Sequence, residues 1–389
     1  MPLILCLVFL IAGELSAHTV EIKSGDDLAS IIINTREGDT VQIGAGIYQI
    51  DVPIITKNNI TVFGIPFEKS NKDKSNIDDV LIKFNEEIAD NWSVEAGITI
   101  RGIKFIGGDH QIQSNGEIKI TYCNFENGID QVSFDRNGYG EVAHCTFYKS
   151  GDDGIDIDSK SIHKDAYFSI HHNYFEKNDQ DGIEFRTHAR KEGNILKYEI
   201  YNNKFFSCGI GEDGGDAIQI IDQDMEEDSR EILIFNNIID GKEVTYNGIS
   251  CNDNRNSHAA TNPKGATLMK EKIWIYNNTI VNTVYGGIAG SNNTWAFNNI
   301  IVNTQKALVH CVANNNLTYK VKVHAEDVLE EGVTHYKINP DLDLKTYTLK
   351  PGSYCTGKAI SEHKSGGRII EIKKQGIKNN LGASSITIY

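Results

Sequence analysis

The segment from Asp130 to Arg190 gathers the side chains best suited to chemistry. Its densest part is Gly151-Asp152-Asp153-Gly154-Ile155-Asp156, and Asp130, Asp158, Asp181 and Glu184 lie around it. Basic groups are interleaved with these acids: Lys160, His163, Lys164, Arg186, His188, Arg190 and Lys191. Two carboxylates about 5 Å apart repel by roughly 3 kcal/mol at an effective dielectric near 20, so a row of them calls for protonation, pairing or a bound cation. Hard oxygen ligands of mixed geometry suit calcium. Asp152, Asp153 and Asp156, joined by Asp130 or Asp181, form the candidate Ca2+ site. A solvated acidic turn is the plain alternative.

These residues sit on a repeating scaffold. One pattern reads apolar, any, polar, Asn or Cys, any, aromatic or Ile. It runs through Ile120-Thr121-Tyr122-Cys123-Asn124-Phe125, Val142-Ala143-His144-Cys145-Thr146-Phe147, Ile170-His171-His172-Asn173-Tyr174-Phe175 and Ile200-Tyr201-Asn202-Asn203-Lys204-Phe205, and returns at Ile234, Ile275 and Ala296. Self-similarity at this period means a stacked array of coils. A second, alternating pattern follows each copy, as in Asp153-Gly154-Ile155-Asp156-Ile157 and Asp181-Gly182-Ile183-Glu184-Phe185. Each coil therefore carries at least two short strands, apolar inward and polar outward. The expected fold is all-β, a right-handed parallel β-helix. The column Cys123, Cys145, Asn173, Asn203, Asn237, Asn278, Asn299 is expected to form a ladder of stacked amides with buried thiols at its lower end.

Stacked strands lie about 4.8 Å apart, so outward positions on successive coils make lines of side chains. One line is Ser133, Asp156, Glu184, Gln219, Ser250; the next is Asp135, Asp158, Arg186, Ile221, Asn252.

The ends and insertions are read as follows. Residues 1–17 resemble a secretory leader, with an apolar run too short to span a membrane. Residues 18–363 form the β-helix, opened by a short helical cap near Leu28, and residues 364–389 a C-terminal tail or extension of the last coil. Phe67–Asp79 is expected to be a polar loop, Asn252–Lys264 an exposed loop, and Asn339–Ala359 the closure of the last coil. The chain carries a net charge of −15, which argues against general nucleic-acid binding. The expected state is a secreted or periplasmic monomer, and an acidic polysaccharide is not excluded as partner, because a local basic cluster or a bound cation can hold one.

The expected cap, the Asn ladder and the Asp-rich middle coils resemble the parallel β-helix polysaccharide lyases. Asp152, Asp153, Asp156 and Asp130 are similar in layout to the calcium site of the family-nine pectate lyases; the position of that family's catalytic Lys is Glu184 here. Asp158-Ser159-Lys160-Ser161 and Ile183-Glu184-Phe185-Arg186 resemble the paired strands of the family-six alginate and chondroitin lyases, with Thr187 intervening before His188. That resemblance implies Lys160 as the base and Arg186 as the acid or electrophilic partner. It implies abstraction of the C5 proton of a uronate and expulsion of the C4 oxygen, with calcium or Arg186 neutralising the carboxylate. His188 is the alternative base, because an imidazole titrates near neutrality. Glu184, Arg190 and Asn252 are assigned to substrate binding.

Alginate is the first expected substrate, followed by pectate, glucuronan and chondroitin or dermatan sulfate. The rival readings are a glycoside hydrolase using paired carboxyls, a C5-epimerase sharing the same proton abstraction, and a non-catalytic carbohydrate-binding solenoid. Gly151-Asp152-Asp153 resembles the β-helical polygalacturonases, but their Gly-His-Gly and Arg-x-Lys signatures do not occur.

Overall fold

The structure, a computed structural model, describes residues 17–70, 73–160, 163, 166–188, 197–212, 214–223, 231–253, 269–365, 368–371 and 380–383. The expected leader through residue 16, the expected loop beyond residue 253, and Arg190 lie outside the described residues.

The chain winds as a parallel β-helix of three sheets, here A, B and C. Among the described residues they hold 13, 12 and 11 strands. Each coil runs through A, then B, then C. One full coil is Glu117–Thr121, Asn124–Glu126 and Val132–Arg136, each strand pairing in parallel with its counterpart in the next coil. The repeated motif around Ile120 is thus not one strand but the end of an A strand, a sharp bend and a B strand. The bend is made by its third residue, which is left-handed in every copy: Tyr122, His144, His172, Asn202, Asn236, Asn277 and Asn298 have φ between 55° and 58°. Asn adopts this region most readily among residues with a side chain, which explains why it fills the later copies.

Just inside the bend the amide ladder forms. The backbone N–H of Asn173 donates to Asn203 Oδ1 at 3.0 Å and its Nδ2 to the same oxygen at 3.1 Å; the pattern repeats through Asn237, Asn278 and Asn299 to Asn316. Cys123 and Cys145 lie buried below it as free thiols. The inward position of sheet B stacks Phe105, Phe125, Phe147, Phe175 and Phe205 with ring centroids 4.6–5.1 Å apart. That separation matches the distance between strands, so each ring covers the next.

A six-residue helix, Leu28–Ile33, follows the first strand of sheet A. It buries Leu28, Ala29 and Ile32 against Gly46–Ile50 and Ile54–Thr56, and Asp27 accepts the Ser30 N–H at its start. Two expectations are corrected. The segment after Phe67 is not simply a loop: Pro66 opens the short helix Ile65–Lys69, Asp73 caps a 3-10 helix at Lys74–Asp79, and Phe67 is fully buried. The segment after Asn339 does not close the last coil. It lies along the flank, where Leu342, Leu349, Cys355 and Ala359 cover Ile300 and Leu317 on the outer face of sheet B, while Ile360 packs beside Trp274 and Phe297 outside sheet A. This covering explains why the upper coils are apolar on both faces. Among the described residues no helix is long and apolar enough to cross a membrane.

Candidate active site

Sheet C sets the site's geometry. Register places Ser133, Asp156, Glu184, Gln219 and Ser250 in one outward line, as the alternation predicts. Asp135 pairs with Asp158 in the neighbouring line, which continues higher up as Arg186, Ile221 and Asn252.

Arg186 joins the two lines. Its Nη1 donates to Asp156 Oδ1 at 3.2 Å and its Nη2 contacts Glu184 Oε1. One oxygen each from Asp153, Asp156 and Glu184 lies within 4.8 Å of the other two. Burial pushes Glu184 up to about 7, against the pull of Arg186, with Asp152 and Asp130 adding to the rise. Burial likewise holds Asp156 well above the usual carboxylate range, again opposed by Arg186. Asp153 is raised by burial and by Asp181.

Asp153 also belongs to a second, interior column. The Asp153 N–H donates to Asp130 Oδ1 at 3.1 Å, Asp181 N–H to Asp153 Oδ1 at 2.8 Å, and Asp216 N–H to Asp181 Oδ1 at 2.5 Å. Asn247 ends this column, donating from its backbone and its amide to Asp216 Oδ1. One oxygen of Asp153 is therefore committed to structure, and the other remains for the outer face. Asp130 is similarly divided: its Oδ2 faces His110 Nε2 at 3.2 Å. Asp152 is half-buried and raised to about 6 by burial and by Asp130.

His188 is buried, and its Nε2 meets Asp158 Oδ1. Burial would raise Asp158, but the His188 hydrogen bond, with Arg186 and Lys160 nearby, holds it low. Lys160 is exposed just past the strand Ile155–Ser159, and its N–H donates to the Arg136 carbonyl at 2.6 Å. Continuing the Arg136–Ser159 pairing by one residue sets Lys160 beside Asn137. Asn137 borders an open hollow of about 380 Å³ lined also by Asn115, Tyr139 and His163, where Tyr139 stacks on His163 with centroids 5.1 Å apart.

The structure therefore brings Asp153, Asp156, Glu184 and Arg186 together, with Asp152 and Asp130 adjacent and Lys160, Asp158 and His188 at the strand ends. It does not bring in Asn252, which is fully buried and separated from Arg186 by the Ile221 rung. Three clustered carboxylates are an oxygen donor set of the kind a hard divalent cation takes, and a cation would relieve the repulsion that now raises their proton affinity. Arg186 competes for two of the three. His110 escaped the sequence reading, although extending the repeat one coil below Asp130 points to Gly108-Asp109-His110-Gln111.

Residues 63–225 match a family described as a right handed beta helix region. No curated protein matches the chain significantly. Among solved structures, an alginate lyase from Paenibacillus sp. str. FPU-7 is 13% identical, superposes with a TM-score of 0.52 and covers 80% of this chain and 99% of its own. Pectate lyase Pel9A is 11% identical, with a TM-score of 0.52 and 97% of each chain covered. At these identities the likeness is one of fold, and the fold is the right-handed parallel β-helix.

Proposed function

We propose that this protein is an exported polysaccharide lyase that cleaves a uronic-acid-containing polymer by β-elimination. The observation supporting this most directly is the juxtaposition on sheet C of Arg186, the Asp153–Asp156–Glu184 group and the exposed Lys160. The solved neighbours named as alginate and pectate lyases set the order of substrates to try, alginate first.

In this reading Arg186 faces the uronate carboxylate. Its charge is shared with Asp156 and Glu184, so the more those two are neutralised, the more of it reaches the substrate. A calcium ion held by Asp153, Asp156 and Glu184, with Asp130 and Asp152 adjacent, would supply positive charge toward the same carboxylate. Lys160 takes the C5 proton. The electron pair left behind forms the C4–C5 double bond, the C4–O bond breaks, and the departing oxygen takes a proton from the protonated base or solvent. Lys160 must be neutral to act. Asp158, which Lys160 and Arg186 both influence, is already engaged by His188. The hollow at Asn115, Asn137 and Tyr139 offers an aromatic ring and amides to neighbouring sugars.

The test is ultraviolet absorbance on a panel of uronate polymers, with and without a chelator. Elimination creates a conjugated double bond and hydrolysis does not. We expect absorbance to rise on one polymer, to fall on chelation, and to drop about 10²–10⁴-fold for Lys160→Ala while binding persists. Undiminished turnover in that variant would remove Lys160 from the role. One observation favours a second reading. Glu184, kept protonated up to about 7 beside Asp156, is suited to protonating a glycosidic oxygen as a hydrolase does. Reducing ends appearing without absorbance would select it.

A further inference from the structure

The bend between sheets A and B carries a second group of ligand-type side chains, remote from the sheet C face. His144 lies on one coil, and His171 and His172 on the next. One ring nitrogen of each lies within 4.8 Å of one from each of the others. The arrangement follows from the fold. His144 and His172 occupy successive left-handed bend positions, with φ of 58° and 56°, so their rings stack 4.9 Å apart. His171 ends the A strand and stands nearly perpendicular to both, at 87° and 86°.

The hydrogen bonding turns ring nitrogens of His171 and His172 toward one another. His171 Nε2 meets Glu141 Oε1 at 3.0 Å, and its Nδ1 meets His172 Nδ1 at 2.9 Å. With the Nε2 proton given to Glu141, His171 keeps its lone pair on Nδ1. His144 Nδ1 is buried and has no hydrogen-bond partner among the described residues. Burial, His172 and Lys74 hold the His144 ring neutral, pushing it down to about 4; burial and His171 do the same to His172. Neutral imidazoles are the form that ligates a metal, and a carboxylate on the distal nitrogen, as Glu141 is on His171, is the usual support for such a ligand.

We propose that His144, His171 and His172 bind a late first-row transition-metal dication of the zinc type, linking two successive coils. Three imidazole nitrogens suit such an ion and not calcium, whose ligands are oxygens. His172 loses its Nδ1 proton to the metal-binding tautomer and carries it on Nε2, with the Asn202 amide, now 3.2 Å from that nitrogen, turning its oxygen toward it. The Lys74 ammonium, which donates to the His144 carbonyl at 2.8 Å, opposes the added charge; Glu141 offsets it. The position explains what the link would do. The amide ladder ends at Asn173, whose Oδ1 accepts the Cys145 N–H at 2.9 Å; below it the Cys123 N–H reaches only Cys145 Sγ, at 3.4 Å. A metal at the outer edge of this bend would join the coils where the inner amides stop.

The repeat itself supplies substitutions the backbone tolerates. Asn fills the His172 position in the next four copies of the bend, and Tyr201 follows His171 in register. Full-length protein stripped with chelator is titrated with Zn2+ and Co2+ in saturating Ca2+, reading the melting temperature and the visible Co2+ spectrum. We expect one equivalent bound at micromolar concentrations, a four-coordinate Co2+ spectrum, and a rise in melting temperature. His172→Asn and His171→Tyr should each weaken binding about 100-fold or more with the metal-free melt unchanged, and Glu141→Gln about 10-fold. Asp156→Asn should leave it intact. Absence of binding by the wild type, or binding that survives His172→Asn or is abolished by Asp156→Asn, overturns the proposal.

Discussion

Two interior ladders run up this solenoid, and they solve the same problem with different groups. At the bend between sheets A and B, Asn173 to Asn316 each accept the backbone N–H below through Oδ1, and all but the last donate through Nδ2 to the next amide oxygen. At the bend before sheet C, Asp130, Asp153, Asp181 and Asp216 accept backbone N–H groups in the same way. An amide offers both a donor and an acceptor, so it satisfies the ladder without charge. A carboxylate offers only acceptors, and a buried row of them must hold protons or be compensated from outside. The carboxyl ladder is compensated at its ends: His110 at the lower and Asn247 at the upper. The amide ladder serves the fold alone. The carboxyl ladder places a column of buried acids beneath the proposed active face.

Exchanging the groups breaks the comparison. The largest effect is expected for Asn203→Asp. Asn203 Nδ2 donates to the Ile170 carbonyl and to Asn237 Oδ1, and a carboxylate there would face both as an acceptor. A loss of about 3–5 kcal/mol at pH 7, read from urea unfolding, is the expected outcome. A loss under about 1 kcal/mol would show that the ladder does not need its donors. The reverse exchange, Asp181→Asn, is expected to stabilise. Burial, then Asp216, holds the Asp181 carboxyl well above the usual range. Unfolding releases its proton once the pH exceeds the ordinary carboxylate value, so the stability it contributes is full below that value and lost as pH rises toward the folded one. The variant should match the wild type near pH 4 and exceed it by about 1–2 kcal/mol near pH 8. Equal stability at both pH values would mean that the carboxyl is ionised and already compensated.

The solenoid was legible because its signals are local and repeated. The Asn column and the Phe column each recur at one position per coil, and the alternating strands fix which residues point outward. That sufficed to align Asp156 with Glu184 and Asp135 with Asp158. Contacts whose cause is not periodic were not legible. Arg186 reaches Glu184 along its own strand and Asp156 on the coil below, which depends on a rotamer and not on spacing. His110 meets Asp130 across a bend whose lower copy, Asp109-His110-Gln111, lacks the Asp-Gly signature of later coils. The C-terminal segment could not be placed from its own sequence, yet the outward Phe235, Trp274 and Tyr276 already indicated that something must cover sheet A there. The His144, His171 and His172 group stood in the quoted repeats unread, because each ring looked like one more bend residue.

The smallest of these effects sharpens the comparison at the ladder's lower end. His110 Nε2 lies 3.2 Å from Asp130 Oδ2, while its Nδ1 lies 3.5 Å from Asp109 and 3.8 Å from Asp90. The Asp130 hydrogen bond raises the ring to about 9, against burial, with the three carboxylates adding to it. The folded value exceeds the ordinary 6.5, so the stabilisation is full below pH 6.5 and is lost as pH rises through 9. The ring is still 28% exposed, and solvent screening brings the expected contribution to about 1 kcal/mol. His110→Gln keeps a hydrogen-bonding side chain and removes the charge. Urea unfolding of wild type and variant should differ by that amount near pH 6 and converge near pH 9.5. A difference that persists unchanged at both pH values would assign His110 to packing, and the lower end of the carboxyl ladder would then lack a charged partner.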